Sequence, residues 1–302
     1  MASSLADALP ILATAVVPWT ADYQFDAGAF RRQVRTIARD LTKHIYIFGT
    51  AGEGYAVTDA QFQEVAKCFW QCAQEDGVTP MLGLISLSLP TIVERIAWGR
   101  SLGYREFQLS LPAWGALNDR ELDVFFAETC GRFSDCHFHH YNLARSNRVL
   151  TAADYRRLAA AHPNFVAVKA SVSDPAIIKS FMELSSRVQF FLTERGYVEA
   201  RKLGPCGLLI SIASVNPKQA KAFVAGDDAL RQQMFEGIQA MGKKLKEVCA
   251  GRYHIDGAFD KMLYRVTDPM FPLRLLPPYQ FASDAEFDAF RDAIPPEWRQ
   301  RS

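Results

Sequence analysis

The sequence predicts an α/β fold, a (β/α)8 TIM barrel with a C-terminal helical extension, and three observations lead to it. Eight short apolar runs alternate with stretches of helical period. The runs are nearly continuous in apolar residues, as parallel strands covered on both faces must be. The length of 302 residues suits one barrel of ~250 residues plus extensions. A doubly wound open sheet shows the same alternation. Its nucleotide fingerprint is missing, however: "GTAGEG" at 49–54 lacks the G-x-G-x-x-G spacing, and the next helix starts only near Thr58.

In chain order, "ILATAVV" (11–17) is the first strand and the pattern at 26–40 its helix. "HIYIFG" (44–49) leads to a helix at 58–75, where Thr58 and Gln61 have capping-box spacing. "PMLGLIS" (80–86) precedes a helix at 89–102, and "EFQLSL" (106–111) one at 119–132. "CHFHHYN" (136–142) is followed by a helix at 151–161 opened by Thr151 and Asp154. After "FVAVKAS" (165–171), Asp174-Pro175 puts proline at the first position of a helix over 174–185. "VQFFLTE" (188–194) precedes a helix at 196–203, and "GLLISIA" (207–213) one at 216–225. The barrel is assigned to residues 1–227. Residues 228–302, mostly helical around the proline-punctuated "FPLRLLPPYQ", form an extension packed on it within a single structural domain.

The composition excludes several classes. Hydrophobic residues make up 49% and charged residues 22%, with 34 basic against 33 acidic and a net charge of +1. Bulk electrostatics therefore draw the chain to neither nucleic acid nor membrane. The N-terminus has no basic region before its short apolar stretch, and no segment approaches the ~20 apolar residues of a spanning helix. Six scattered cysteines suit free thiols in a reducing cytoplasm, and Cys68 and Cys72 read as structural thiols rather than metal ligands.

Barrel active sites lie at the C-terminal ends of the strands. Lys169 stands near the end of the sixth run, and alternation places it with Ala167 and Phe165. Desolvation favours the neutral amine, which is nucleophilic toward a ketone and forms a Schiff base. The plainer reading is a lysine that snorkels to water or pairs with Glu53 or Glu194. Tyr141, ending the neighbouring run, supplies a phenol for proton transfer. The Gly49-Thr50-Ala51 turn offers successive N–H groups and a hydroxyl to an anion such as a carboxylate. In "HFHH" (137–140), alternation puts His137, His139 and Tyr141 on one face. No companion carboxylate is placed with them, so a hydrogen-bonded interior His139 is favoured over a metal ligand. Glu194 and Arg195 follow the seventh run. Arg195 and Arg145 are candidates for a second anionic group, since arginine suits bidentate carboxylate recognition. The plainer reading of Glu194 and Arg195 is a surface ion pair.

With these residues in order, the chain resembles the dihydrodipicolinate synthase / N-acetylneuraminate lyase family. "FGTAGEGYAVT" is similar to its G-T-T-G-E segment, "HYNLARS" to Y-N-x-P, "FVAVKAS" to the strand with the imine lysine, and "GPCGLLISIASVNP" to G-x-x-G-x-I-S. The "FPLRLLPPYQ" tail is similar to its R-x-P segment. The resemblance implies an imine at Lys169, proton relay by Tyr141, carboxylate binding by Gly49, Thr50 and Ala51, and the Leu209 carbonyl near the imine. It also implies a homotetramer built as a dimer of dimers, with no cofactor and no metal. Departures are specific: Ala51 replaces a second threonine, Trp114 stands near the position of an interface tyrosine, and Ala144 replaces a proline. These argue against a true dihydrodipicolinate synthase. The expectation is a Schiff-base lyase, an aldolase or dehydratase, acting on pyruvate or a related 2-oxo acid. The alternatives are condensation of pyruvate with an aldehyde, a non-catalytic keto-acid sensor and a metal-dependent aldolase using the histidines.

Overall fold

The computed structural model describes residues 10–253 and 255–299. The reading of residues 1–9 as lacking a basic leader lies outside them. Eight parallel strands follow one another around a closed barrel: β1 (Ile11–Thr14), β2 (His44–Ile47), β3 (Thr79–Gly83), β4 (Glu106–Leu109), β5 (His137–Asn142), β6 (Phe165–Ala170), β7 (Gln189–Leu192) and β8 (Gly207–Leu209). Each begins within one residue of its predicted run. Most end earlier, because the last apolar residues leave the ladder to build the loops; after β8, Ile212–Val215 already form a 3-10 turn. None of the helices among the described residues is long and apolar enough to cross a membrane.

The helices are α1 (Ala27–Asp40), α2 (Asp59–Asp76), α3 (Leu89–Leu102), α4 (Asp119–Phe126), α5 (Ala152–Ala161), α6 (Pro175–Met182), α7 (Glu194–Arg201), α8 (Pro217–Ala225), α9 (Asp228–Cys249), α10 (Asp256–Arg265) and α11 (Asp284–Asp292). Both predicted capping boxes form, Thr58 with Gln61 and Thr151 with Asp154. Asp174 caps α6 from just ahead of Pro175. Three helices depart from prediction, α6 by ending at Met182 rather than at 185. The 119–132 pattern is α-helical only to Phe126 and widens into a π turn over Ala127–Gly131. There the Thr129 hydroxyl donates to the Phe125 carbonyl at 2.8 Å, competing with the helical ladder. Helix α7 begins at Glu194, before Gly196 rather than at it. Gly196 is needed inside the first turn, where a Cβ would run into the Val172 carbonyl.

Contacts divide the chain into two compact units. The first takes Ile11 and Leu12 with Thr79–Leu209, and holds β3 to β8. Its helix-facing core is aromatic: Tyr155 of α5 packs on Phe165, Phe181 and Phe190 with ring centroids 5.6–6.1 Å apart, and Phe126 meets Phe165 at 5.6 Å. The second takes Ala13–Val78 with the chain from Ile210 onward, so the C-terminal helices cluster with the first two strand–helix units. Its rings run Trp19, Phe25, Phe30 and Phe69, with neighbouring centroids 5.4–6.3 Å apart.

His140 is fully buried in the first unit, and its Nδ1 lies 3.0 Å from the Tyr155 hydroxyl. Burial pushes the imidazole down to about 3, with Asp154 opposing. The unfolded chain binds a proton near pH 6.5 that the folded chain refuses until about 3. This contribution is therefore fully present above pH 6.5 and falls as the pH drops through the window toward 3. Between pH 7 and 5 the loss from this one group is about 2 kcal/mol. Urea titrations at both pH values should show His140→Phe losing less stability on acidification than wild type. Equal losses would place the acid sensitivity elsewhere.

Candidate active site

Strand register builds the centre of the site in the first unit. Across β5 to β8, Tyr141 pairs with Lys169, Lys169 with Phe191, and Phe191 with Gly207. Register partners in a parallel sheet project from the same face, so these four positions form one row. Lys169 and Tyr141 each stand one residue before the end of their strand. Lys169 is 3% exposed, and its Nζ lies over the Tyr141 ring, 3.7 Å from the centroid. The phenol was expected beside the nitrogen; it is the ring face that meets it. An aromatic face attracts a cation, whether an ammonium or a protonated imine. Gly207 makes room for the row, because a Cβ there would occupy the space of the Phe191 ring.

The predicted alternation through Lys169, Ala167 and Phe165 holds only in part. Pairing slips between Phe138 and His139, so that Phe138 faces Phe165 but His139 faces Ala167. Phe165 consequently joins the rings of α4 and α5, and the count of faces made from it does not carry to Lys169.

His139 is buried one pleat before Tyr141, and its Nε2 lies 3.0 Å from Glu106 Oε2. Glu106, which opens β4, is the carboxylate that sequence reasoning did not place with this histidine. The His139 ring also stacks on Phe191 at 6.2 Å. His137, which opens β5, is exposed.

The remaining predicted residues of this unit lie at strand ends. Leu209 closes β8, two residues beyond Gly207, and is 6% exposed. Glu194 opens α7 at 5% exposure, whereas Arg195 is exposed. Arg145 is exposed in the turn Ala144–Ser146. Arg148, three residues on, serves structure: it donates to the Leu117 carbonyl at 2.5 Å and to Asp119 at 2.6 Å, bracing the loop after β4. Trp114 in that loop is 90% exposed.

In the second unit, the turn after β2 carries Gly49, Thr50 and Ala51, all buried. Its glycines serve the turn itself. A Cβ on Gly52 would come within 2.7 Å of the Phe48 nitrogen, and one on Gly54 would run into the Phe48 carbonyl. The Gly54 N–H donates to the Gly49 carbonyl at 3.3 Å, and the Glu53 N–H to the Thr50 carbonyl at 3.2 Å. The Ala51 side chain packs with Val16, Ala29 and Phe271. Glu53 turns inward and is fully buried. It accepts from Trp19 Nε1 at 3.0 Å, Lys261 Nζ at 2.5 Å and the Leu276 N–H at 2.7 Å. Burial lowers the Lys261 pKa, and Glu53 opposes the shift. Lys261 escaped sequence reasoning, although a lysine sharing a helix face with Gly257, Ala258 and Met262 carries the same signal as Lys169.

A family model for the dihydrodipicolinate synthetase family matches residues 8–256. Solved structures similar to this chain share its fold at low identity. One is a prophage protein of E. coli K12, from the dihydrodipicolinic acid synthase family, in complex with pyruvate. It is 14% identical, with 94% of this chain and 96% of that chain covered and a TM-score of 0.81. A dihydrodipicolinate synthase from Cyanidioschyzon merolae with lysine bound is 17% identical, covering 94% and 96%, at 0.81. A catalytic-lysine mutant of a Ruminococcus gnavus sialic acid aldolase is 13% identical, covering 96% of each chain, at 0.83. A comparison with curated proteins finds no match.

Proposed function

The chain belongs to the dihydrodipicolinate synthetase family, and on that premise we propose that it is a Schiff-base lyase, an aldolase or dehydratase, acting on pyruvate or a related 2-oxo acid. The observation that carries the reading is the buried Lys169 amine lying over the Tyr141 ring. Burial penalises a charged amine, and imine formation needs the neutral one. Lys169 attacks the ketone carbon, and the carbinolamine loses water to give the imine. Protonated, the imine draws the electron pair of a bond to the adjacent carbon into an enamine. The Tyr141 ring steadies the cation, and its hydroxyl passes the protons that the steps release and take up.

The backbone N–H groups of Gly49, Thr50 and Ala51, with the Thr50 hydroxyl, hold the carboxylate. The Leu209 carbonyl borders the imine. Glu194, Arg195 and Arg145 meet the portion of the substrate beyond the keto acid, and this portion decides between aldol cleavage and dehydration. The reading includes a homotetramer, a dimer of dimers, working in the cytoplasm. Six free, buried thiols suit a reducing compartment, and an exposed Trp114 suits a surface that a subunit contact covers.

Borohydride added with pyruvate should reduce the imine and leave the mass of the pyruvate adduct on the Lys169 peptide. The same trap across a panel of 2-oxo acids ranks the substrates. A protein that binds pyruvate but yields no adduct would be a sensor rather than this enzyme.

A further inference from the structure

The turn that carries Gly49, Thr50 and Ala51 is held by a buried ion pair for which the proposed chemistry has no use. Glu53 and Lys261, 208 positions apart in sequence, are both fully buried and 2.5 Å apart. Burying two charges is poor as a stabilising device, because a well-packed apolar pair does as well or better. What an ion pair supplies and an apolar pair lacks is direction. Lys261 donates to Glu53 and also to the Arg274 carbonyl, and the neighbouring Leu276 N–H binds the other carboxylate oxygen. Gly257, one helical turn before Lys261, lies so close to the Ala51 carbonyl that an added Cβ would approach it to 3.0 Å.

The effect on the turn follows from peptide planarity. The Thr50 carbonyl and the Ala51 N–H belong to one peptide plane, as do the Gly49 carbonyl and the Thr50 N–H. Glu53 N–H holds the first carbonyl and Gly54 N–H the second. Glu53 is itself in the left-handed region, at φ 58°, a conformation that side chains favour little and that its bonds must maintain. Fixing the Glu53 carboxylate therefore aims the N–H groups of Thr50 and Ala51.

We propose that Lys261 is a positioning residue, which through Glu53 orients the Thr50 and Ala51 N–H groups to receive the substrate carboxylate. The proposal rests on the reading of this turn as the carboxylate cradle. It makes Lys261 a determinant of selectivity for the keto acid over its uncharged ester, rather than of the covalent step.

The test is the rate of borohydride trapping at Lys169 against the concentration of pyruvate and of methyl pyruvate. It is run on the full chain as wild type, Lys261→Met and Lys261→Met/Glu53→Gln, with melting temperatures alongside. Lys261→Met should raise half-saturating pyruvate about tenfold, leave the limiting trapping rate within about threefold, and shrink the preference for pyruvate over methyl pyruvate. The double variant removes the unpaired buried carboxylate. It should recover melting temperature and still keep the weakened preference. It is also the folded comparison if the single variant does not fold. A preference that stays at the wild-type ratio, or that returns together with the melting temperature, would reduce Lys261 to a structural role. If wild type itself traps neither compound, the Schiff-base reading fails and takes this proposal with it. Trapping of both with no preference for pyruvate in wild type overturns the cradle while leaving the imine in place.

Discussion

Arginine in place of Lys169 should abolish both turnover and the borohydride-trapped adduct. The substitution keeps a long cationic side chain, and a guanidinium stacks on an aromatic face, so the contact with Tyr141 survives in kind. What disappears is the nucleophile, because a guanidinium is not deprotonated in a protein. Covalent catalysis divides one difficult step into two easier ones, and removing its nucleophile should lower kcat/KM at least about a thousandfold. Melting temperature measured on the same sample separates lost chemistry from lost fold. A folded Lys169→Arg protein working within tenfold of wild type would sink the imine mechanism.

The second large effect separates the two halves of Tyr141. Phenylalanine keeps the ring over Nζ and deletes the hydroxyl. Turnover should fall about 100- to 1000-fold, the range of a lost general acid–base group, while pyruvate is still trapped at Lys169. Leucine deletes the ring as well and should slow trapping itself, since the aromatic face contributes up to about 2 kcal/mol to a desolvated cation. Stopped-flow trapping and steady-state turnover, measured on both variants, resolve the two roles. Phenylalanine at wild-type turnover would take the hydroxyl out of the reaction.

What was legible in the sequence is what depends on neighbours along the chain. The strand starts, the capping boxes at Thr58 and Thr151, and the placing of Lys169 and Tyr141 at strand ends all follow from local pattern. Alternation failed where pairing did. The slip before His139 is set by how two strands meet, and it moved Phe165 to the outer core. The partners of buried charges were illegible for the same reason. Glu106 meets His139 from 33 positions away, and Lys261 meets Glu53 from 208. Nor was it legible that Gly52 and Gly54 answer to the backbone of Phe48, which folding brings against them.

The methyl group of Ala51, set among Val16, Ala29 and Phe271, limits the directions in which this chain is free to evolve. A threonine there would carry its hydroxyl into an apolar enclosure, where an unmet polar group costs about 1–3 kcal/mol. Exchange between the two states is therefore not a single step: the enclosure has to change first, and a descendant of this chain inherits the order in which those substitutions remain viable.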